Sequence, residues 1–98
     1  MYIVTGTIAI APEFREATLD LFGKYVDIVR KEYGLVTYDV CEDVKTPCRF
    51  RFYQEWDTKE ALLRHTQADT TATFRAALSA MKVSSIEIAR FNAEIDAS

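Results

Sequence analysis

The chain has 98 residues, 49% of them hydrophobic and 28% charged, which is the size of one domain and a globular rather than a disordered composition. A formal net charge of −3 argues against nucleic acid, whose phosphate backbone is held by clustered Lys and Arg. No apolar run approaches the ~20 residues of a membrane span, and Met1 leads directly into a strand pattern without a basic leader or cleavage site, so a cytoplasmic protein with no membrane partner is expected.

Tyr2 to Ile10 alternates Tyr2, Val4, Gly6, Ile8 and Ile10 against Ile3, Thr5, Thr7 and Ala9, a strand with two fairly apolar faces. Ala11-Pro12-Glu13 starts a helix, with Pro12 suited to its first position and Glu13 and Glu16 near the positive end of the dipole. Phe14, Ala17, Leu21, Tyr25 and Ile28 form one stripe, widened by Phe22, Val26 and Val29. Gly34 ends the helix by taking the left-handed conformation.

Leu35 to Cys41 is the second strand, with Val36, Tyr38 and Val40 opposite Leu35, Thr37 and Asp39. The polar segment Glu42 to Pro47 turns the chain, and the strand from Phe50 returns antiparallel. That strand places Phe50, Phe52, Gln54 and Trp56 on one face and Arg49, Arg51, Tyr53 and Glu55 on the other, where Glu55 should pair with Arg51 or meet a second subunit. Asp57 and Glu60 fit a capping box for a helix beginning at about Thr58. His65, the single histidine, shares a helix face with Leu62 and Ala61. Asp69 or Thr70 caps a further helical segment whose inward stripe is Phe74, Ala77, Leu78 and Met81. Ser84 to Ala93 is the last strand, and a bulge near Ala89 would put Ile86 and Ile88 in phase with Ala89 and Phe91.

The order strand, helix, strand, strand, helix, strand predicts one domain over residues 1–98: an α+β, ferredoxin-like βαββαβ fold, with a four-stranded antiparallel sheet and helices on one face. Helices on one face leave Ile3, Ala9, Leu35 and Tyr53 uncovered, so a homodimer packing sheet against sheet is expected. Cys41 and Cys48 flank the hairpin turn closely enough for a disulfide to be conceivable. A reducing compartment favours two free thiols, and no further ligand spacing completes a zinc site.

Chemistry narrows by elimination. Gly6, Gly23 and Gly34 are isolated, so there is no phosphate-binding loop, and no nucleophilic triad is legible around the one histidine. Tyr38, Phe52, Tyr53, Glu55, Trp56, His65, Phe74 and Arg75 remain, a mixture suited to an apolar pocket for a flat organic ligand.

Gly34 with Tyr38, Phe50-Arg-Phe-Tyr-Gln-Glu-Trp56, Glu60-Ala-Leu and His65 nine positions after Trp56 resemble the antibiotic biosynthesis monooxygenase domain family over nearly the whole chain. The resemblance implies a dimeric α+β barrel. It also covers several functions, including cofactor-free oxidation of quinols or polycyclic phenols, haem degradation, and isomerisation of a phosphorylated signal. The haem-degrading pattern of Asn, Trp and His falls here on Gly6 or Thr7, His65 and Arg75, and all three depart from it. The isomerase pattern needs cations beside the pocket, for which Arg75 and Arg64 are the candidates.

The quinol-oxidising branch implies no metal or flavin, because the substrate's own anion reduces oxygen. His65 is then the proton acceptor, since an imidazole titrates near neutral pH. Tyr38 and Arg75 would hold the phenolate, and Phe52, Trp56 and Phe74 would wall the ring. The rival reading is a non-catalytic small-ligand-binding or stress-associated dimer using the same cleft, with His65 satisfying a structural partner and Trp56 and Phe52 belonging to the core.

Overall fold

Four alternating stretches pair into one antiparallel sheet in the computed structural model, which describes residues 1–97. The strands are β1 (Tyr2–Ala9), β2 (Leu35–Glu42), β3 (Arg49–Trp56) and β4 (Ser85–Asn92), in the spatial order β2-β3-β1-β4. A 3-10 turn, Pro12–Phe14, leads into α1 (Arg15–Val29), and α2 (Lys59–Gln67) and α3 (Asp69–Ser79) follow β3. The result is the expected α+β, ferredoxin-like architecture. Among the described residues no helix is long and apolar enough to cross a membrane.

Register sets the core. Val4, Gly6 and Ile8 lie opposite Gln54, Phe52 and Phe50, and all six are buried. Successive residues alternate faces, so one face of the sheet receives α1, whose buried residues are Thr18, Phe22, Tyr25 and Val29. This line lies slightly to one side of the stripe expected from sequence: Ala17 is exposed and Ile28 is 47% exposed. Trp56, 0% exposed, anchors the end of β3, and its indole N–H donates to Gln54 Oε1 at 2.9 Å. Gly6 is needed here for close approach. A Cβ on it would collide with the Glu87 carbonyl and with the Phe52 ring, which crosses β1 at that point.

Four local expectations change. The bulge lies between Leu35 and Thr37, while β1 and β4 pair without interruption from Tyr2↔Asn92 to Ala9↔Ser85. Leu35 therefore packs against the core and Val36 is 54% exposed, and on β4 Ile86, Ile88 and Arg90 share the helix-side face while Phe91 points away. The cap of α2 is Thr58, whose hydroxyl accepts from Ala61 N–H at 3.1 Å; Asp57 instead uses its N–H to close onto the Gly34 carbonyl at 2.9 Å. At α3 Ala68 occupies the cap position with no side-chain bond, so neither Asp69 nor Thr70 serves there. On the outer face Glu55 accepts from Tyr53 Oη at 2.7 Å, in place of the expected partner Arg51.

Gly34 does not end the helix: α1 stops at Val29 with Arg30 as its right-handed cap, and Gly34 takes the left-handed region, at φ 85°, in the turn just before β2, where glycine is favoured. Its bare Cα also lets α2 dock, because a Cβ there would run into the Ala61 side chain and within 2.7 Å of Asp57 Oδ1. The residue thus fixes the end of α1 against the start of α2.

Candidate functional site

The docking of α2 beside the end of α1 brings Glu32 and His65 together from 33 positions apart. His65 Nδ1 lies 2.7 Å from Glu32 Oε2, a charge-assisted contact that orients the ring and puts the proton on Nδ1. His65 is 6% exposed and lies against Trp56, with ring centroids 4.7 Å apart.

The proton on each neighbouring hydroxyl can be followed. Thr71 Oγ1 donates to the His65 carbonyl at 2.7 Å, so its hydrogen is committed. The 2.9 Å contact between Tyr25 Oη and Thr71 Oγ1 must then use the Tyr25 proton, because each hydroxyl carries only one. Tyr25 Oη also lies 3.4 Å from His65 Nε2, but it has no second hydrogen to offer. In the tautomer selected by Glu32, Nε2 keeps a lone pair with no donor among the described residues.

Burial holds the His65 pKa below its ordinary value; the hydrogen bond and charge of Glu32 oppose that shift, and the Arg75 charge adds to it. The imidazole is therefore neutral near pH 7 and able to accept a proton. Tyr38, also buried, is pushed well above the usual phenol range, chiefly by loss of solvent, with Tyr25 adding and a bond to Gln54 opposing. It remains a neutral donor. Its ring stands edge-on to Tyr25, at 6.0 Å between centroids.

His65 and Tyr38 line a cavity of about 100 Å³ between the sheet and the helices. Phe52 and Gln54 contribute from β3, and Phe74 from α3, where it stacks on Tyr25 at 3.9 Å and 12°. Arg75 also lines it and is exposed. The structure thus brings together five of the six residues singled out from sequence. The sixth, Trp56, does not line the cavity: it is enclosed by the core and supports His65 from behind. Arg64 is also elsewhere, its guanidinium over the Tyr33 ring at 5.7 Å.

Two groups at the site were not legible in the sequence. Glu32 reads there only as part of a helix terminus. Arg90 lines the cavity from β4, and the bulge expected near Ala89 would have turned it away; strict alternation from Ile86 was the available signal.

The sequence profile described as "Antibiotic biosynthesis monooxygenase" matches residues 1–77. The chain belongs to the antibiotic biosynthesis monooxygenase family. Its fold superposes on that of a proposed antibiotic biosynthesis monooxygenase from Deinococcus radiodurans with a TM-score of 0.94 at 24% identity, covering 100% of this chain and 97% of the other. A second structure, titled antibiotic biosynthesis monooxygenase, gives 0.88 at 25% identity over 97% and 100% of the two chains. A proposed member from Nitrosomonas europaea gives 0.87 at 16% over 95% and 98%. No curated protein matches the sequence.

In this antibiotic biosynthesis monooxygenase-family chain the thiols lie apart from the cavity. Cys41 is exposed and Cys48 buried, and both are free. Cys41 lies opposite Arg51 in the register, while Cys48, at φ 68°, gives its backbone N–H to Glu42 Oε2 at 3.0 Å. Among the described residues no three His, Cys, Asp or Glu side chains converge as a metal site.

Proposed function

We propose that the protein is a cofactor-independent monooxygenase acting on a small quinol or phenol, with His65 as the proton acceptor. The observation that carries this reading is the Glu32–His65 couple, which fixes the ring by Nδ1 and leaves the Nε2 lone pair, without a donor among the described residues, beside an aromatic cavity. The substrate phenol would give its proton to Nε2, and the resulting anion, held by the Tyr38 hydroxyl and shielded from bulk water by Phe52 and Phe74, would reduce oxygen directly. For a quinol ring the reaction balances as one oxygen atom placed on a ring carbon, giving a hydroxyquinone, and one released as water, with all four electrons drawn from the substrate. Trp56 contributes by supporting His65.

The outer face of the sheet supports a homodimer. Ile3 stands between Glu55 and Phe91 in the register, and Phe91 is 52% exposed, so a second copy laid sheet against sheet would cover both. Light scattering on the eluting protein would report a monomer if this is wrong.

The deep burial of His65 and its bond to Glu32 favour one rival, in which the same cavity binds a small ligand without turnover and the couple is purely structural. Oxygen uptake by chelator-treated protein with hydroquinones and polycyclic phenols separates the two. The monooxygenase reading expects uptake above the uncatalysed rate that falls by at least about 10² in His65→Gln, the lower end for loss of a general base. No uptake from folded wild-type protein over the panel would move the conclusion to the binding protein.

A further inference from the structure

The walls of the cavity have a charge bias that the chain as a whole lacks. The sequence carries 15 acidic and 12 basic residues, yet the lining includes Arg75 and Arg90 and no acidic residue. Glu32 lies behind His65 and does not line it. Among the described residues neither guanidinium has an ion pair or a hydrogen bond. Arg15 and Arg30 are by contrast committed, Arg15 forking onto Glu42 and Arg30 reaching Asp39, so what sets Arg75 and Arg90 apart from the other unpaired arginines is their place on the cavity wall.

The remaining wall sets size and shape. A volume of about 100 Å³ is well below the ~300–1,000 Å³ of sites for drug-sized ligands and close to the ~150 Å³ of a cavity that accepts benzene. The Phe52 and Phe74 side chains suit one flat ring. Ile86 and Ile88, 54% and 55% exposed, line the β4 side together with Arg90, so a polar substituent can lie towards the arginines with its ring inside.

We propose that the ligand of this cavity is a single-ring hydroxylated aromatic acid, its carboxylate held by Arg75 from α3 and Arg90 from β4 and its hydroxyl directed to His65. The carboxylate is preferred to a phosphate ester because no glycine loop opens on the cavity to add backbone donors. The inference rests on the cavity being the substrate site.

The test is binding by titration calorimetry in anaerobic buffer, so that no turnover occurs. The ligands are hydroquinone, 2,5-dihydroxybenzoate and 4-hydroxyphenyl phosphate, with wild type, Arg75→Gln and Arg90→Gln. Both arginines are exposed, so the substitutions leave the core intact. The dihydroxybenzoate should bind about tenfold tighter than hydroquinone, an advantage that shrinks with added salt and is lost in Arg90→Gln and reduced in Arg75→Gln, while hydroquinone binding holds in Arg90→Gln.

Equal affinity for the two, no binding of the acid, or an advantage that survives both substitutions would overturn the proposal. Tighter binding of the phosphate ester would overturn the carboxylate assignment. Oxygen uptake is read separately. A preference for the acid without uptake sinks the monooxygenase reading alone, whereas uptake confined to uncharged quinols, with no preference for the acid, sinks this one alone.

Discussion

Ile8 and Ile86 are the same residue, directly opposite each other in the β1–β4 register and on the same face of the sheet. One is 3% exposed and the other 54%. β1 is paired on both sides and β4, at the sheet edge, on one, but pairing engages backbone groups and leaves side chains uncovered, so hydrogen bonding is not what separates the two side chains. Cover is: β1 and β3 lie under α1 and α2, whereas every residue of β4 is exposed. Sheet pairing positions a strand without burying it, and the hydrophobic contribution follows the area removed from water. The molecule thus has a closed half, which holds His65 and its partners, and an open half, where the cavity meets Arg90.

The sharpest way to break that contrast is to truncate its closed side. Ile8→Ala should cost about 2–5 kcal/mol, the range for deleting a fully buried aliphatic side chain, read as a drop in urea midpoint at unchanged slope. A loss below 1 kcal/mol would mean that the β1 core is looser than its burial implies. Within the same half, Glu32→Gln removes the partner of His65 without emptying space. An amide can turn its oxygen to Nδ1–H but carries no charge, so kcat should fall about tenfold by loss of the charge-assisted contact.

The pH profile gives that test a direction. His65 accepts a proton only when neutral, and its folded value lies below the ordinary 6.5, so kcat/KM should hold through pH 6.5 and decline at lower pH. Glu32 raises the His65 value and Arg75 lowers it. The acid limb should therefore move down in Glu32→Gln and up in Arg75→Gln. Shifts in the same direction would show that the limb belongs to another group. Stability has the same sign: the unfolded chain binds the proton first, so the His65 contribution is present above pH 6.5 and lost as pH falls towards the folded value.

A second carboxylate ties the closed half together at its far end. Arg15 Nε and Nη2 reach the two oxygens of Glu42 at 2.8 and 2.7 Å, and this fork, with the Cys48 N–H, holds the Glu42 carboxyl at about 2. Because that value is depressed in the fold, the contribution is present above pH 4.5 and disappears as pH falls through about 2. Glu42→Gln should lower stability on the neutral side, where the ionised carboxylate contributes, and flatten the acid side of the profile in that window. An unaltered acid limb would show that the fork contributes nothing measurable.

What the sequence disclosed follows the same division. Period-two and helical patterns are local, and they located the strands, the left-handed turn at Gly34 and the inward face of His65, though α1 ends earlier, at Val29. The partner of His65 is not local. Glu32 meets it only because Gly34 lets α2 dock against the end of α1, and no window spans that distance. Arg90 was obscured for a different reason: β4 has no buried face, so Ile86, Ile88 and Phe91 resemble one apolar set interrupted by a bulge. Where neither face is covered, hydrophobicity no longer reports direction. Trp56 shows the converse, since an aromatic at a pocket-facing phase was taken up entirely by packing.

The smallest effect is expected at Ile86. In isolated protein Ile86→Ala should change stability by no more than about 0.5 kcal/mol, as for an ordinary surface substitution, although the same change at Ile8 costs several times more. If the second copy laid on the outer face also reaches round the edge strand to Ile86, that cost will grow as subunits associate, because binding to the folded form adds to its stability by mass action. Comparing Ile86→Ala with wild type over about a hundredfold range of protein concentration therefore asks what covers β4. A difference that stays near zero throughout leaves Ile86 to the ligand alone, and its cost should then appear only when the cavity is filled.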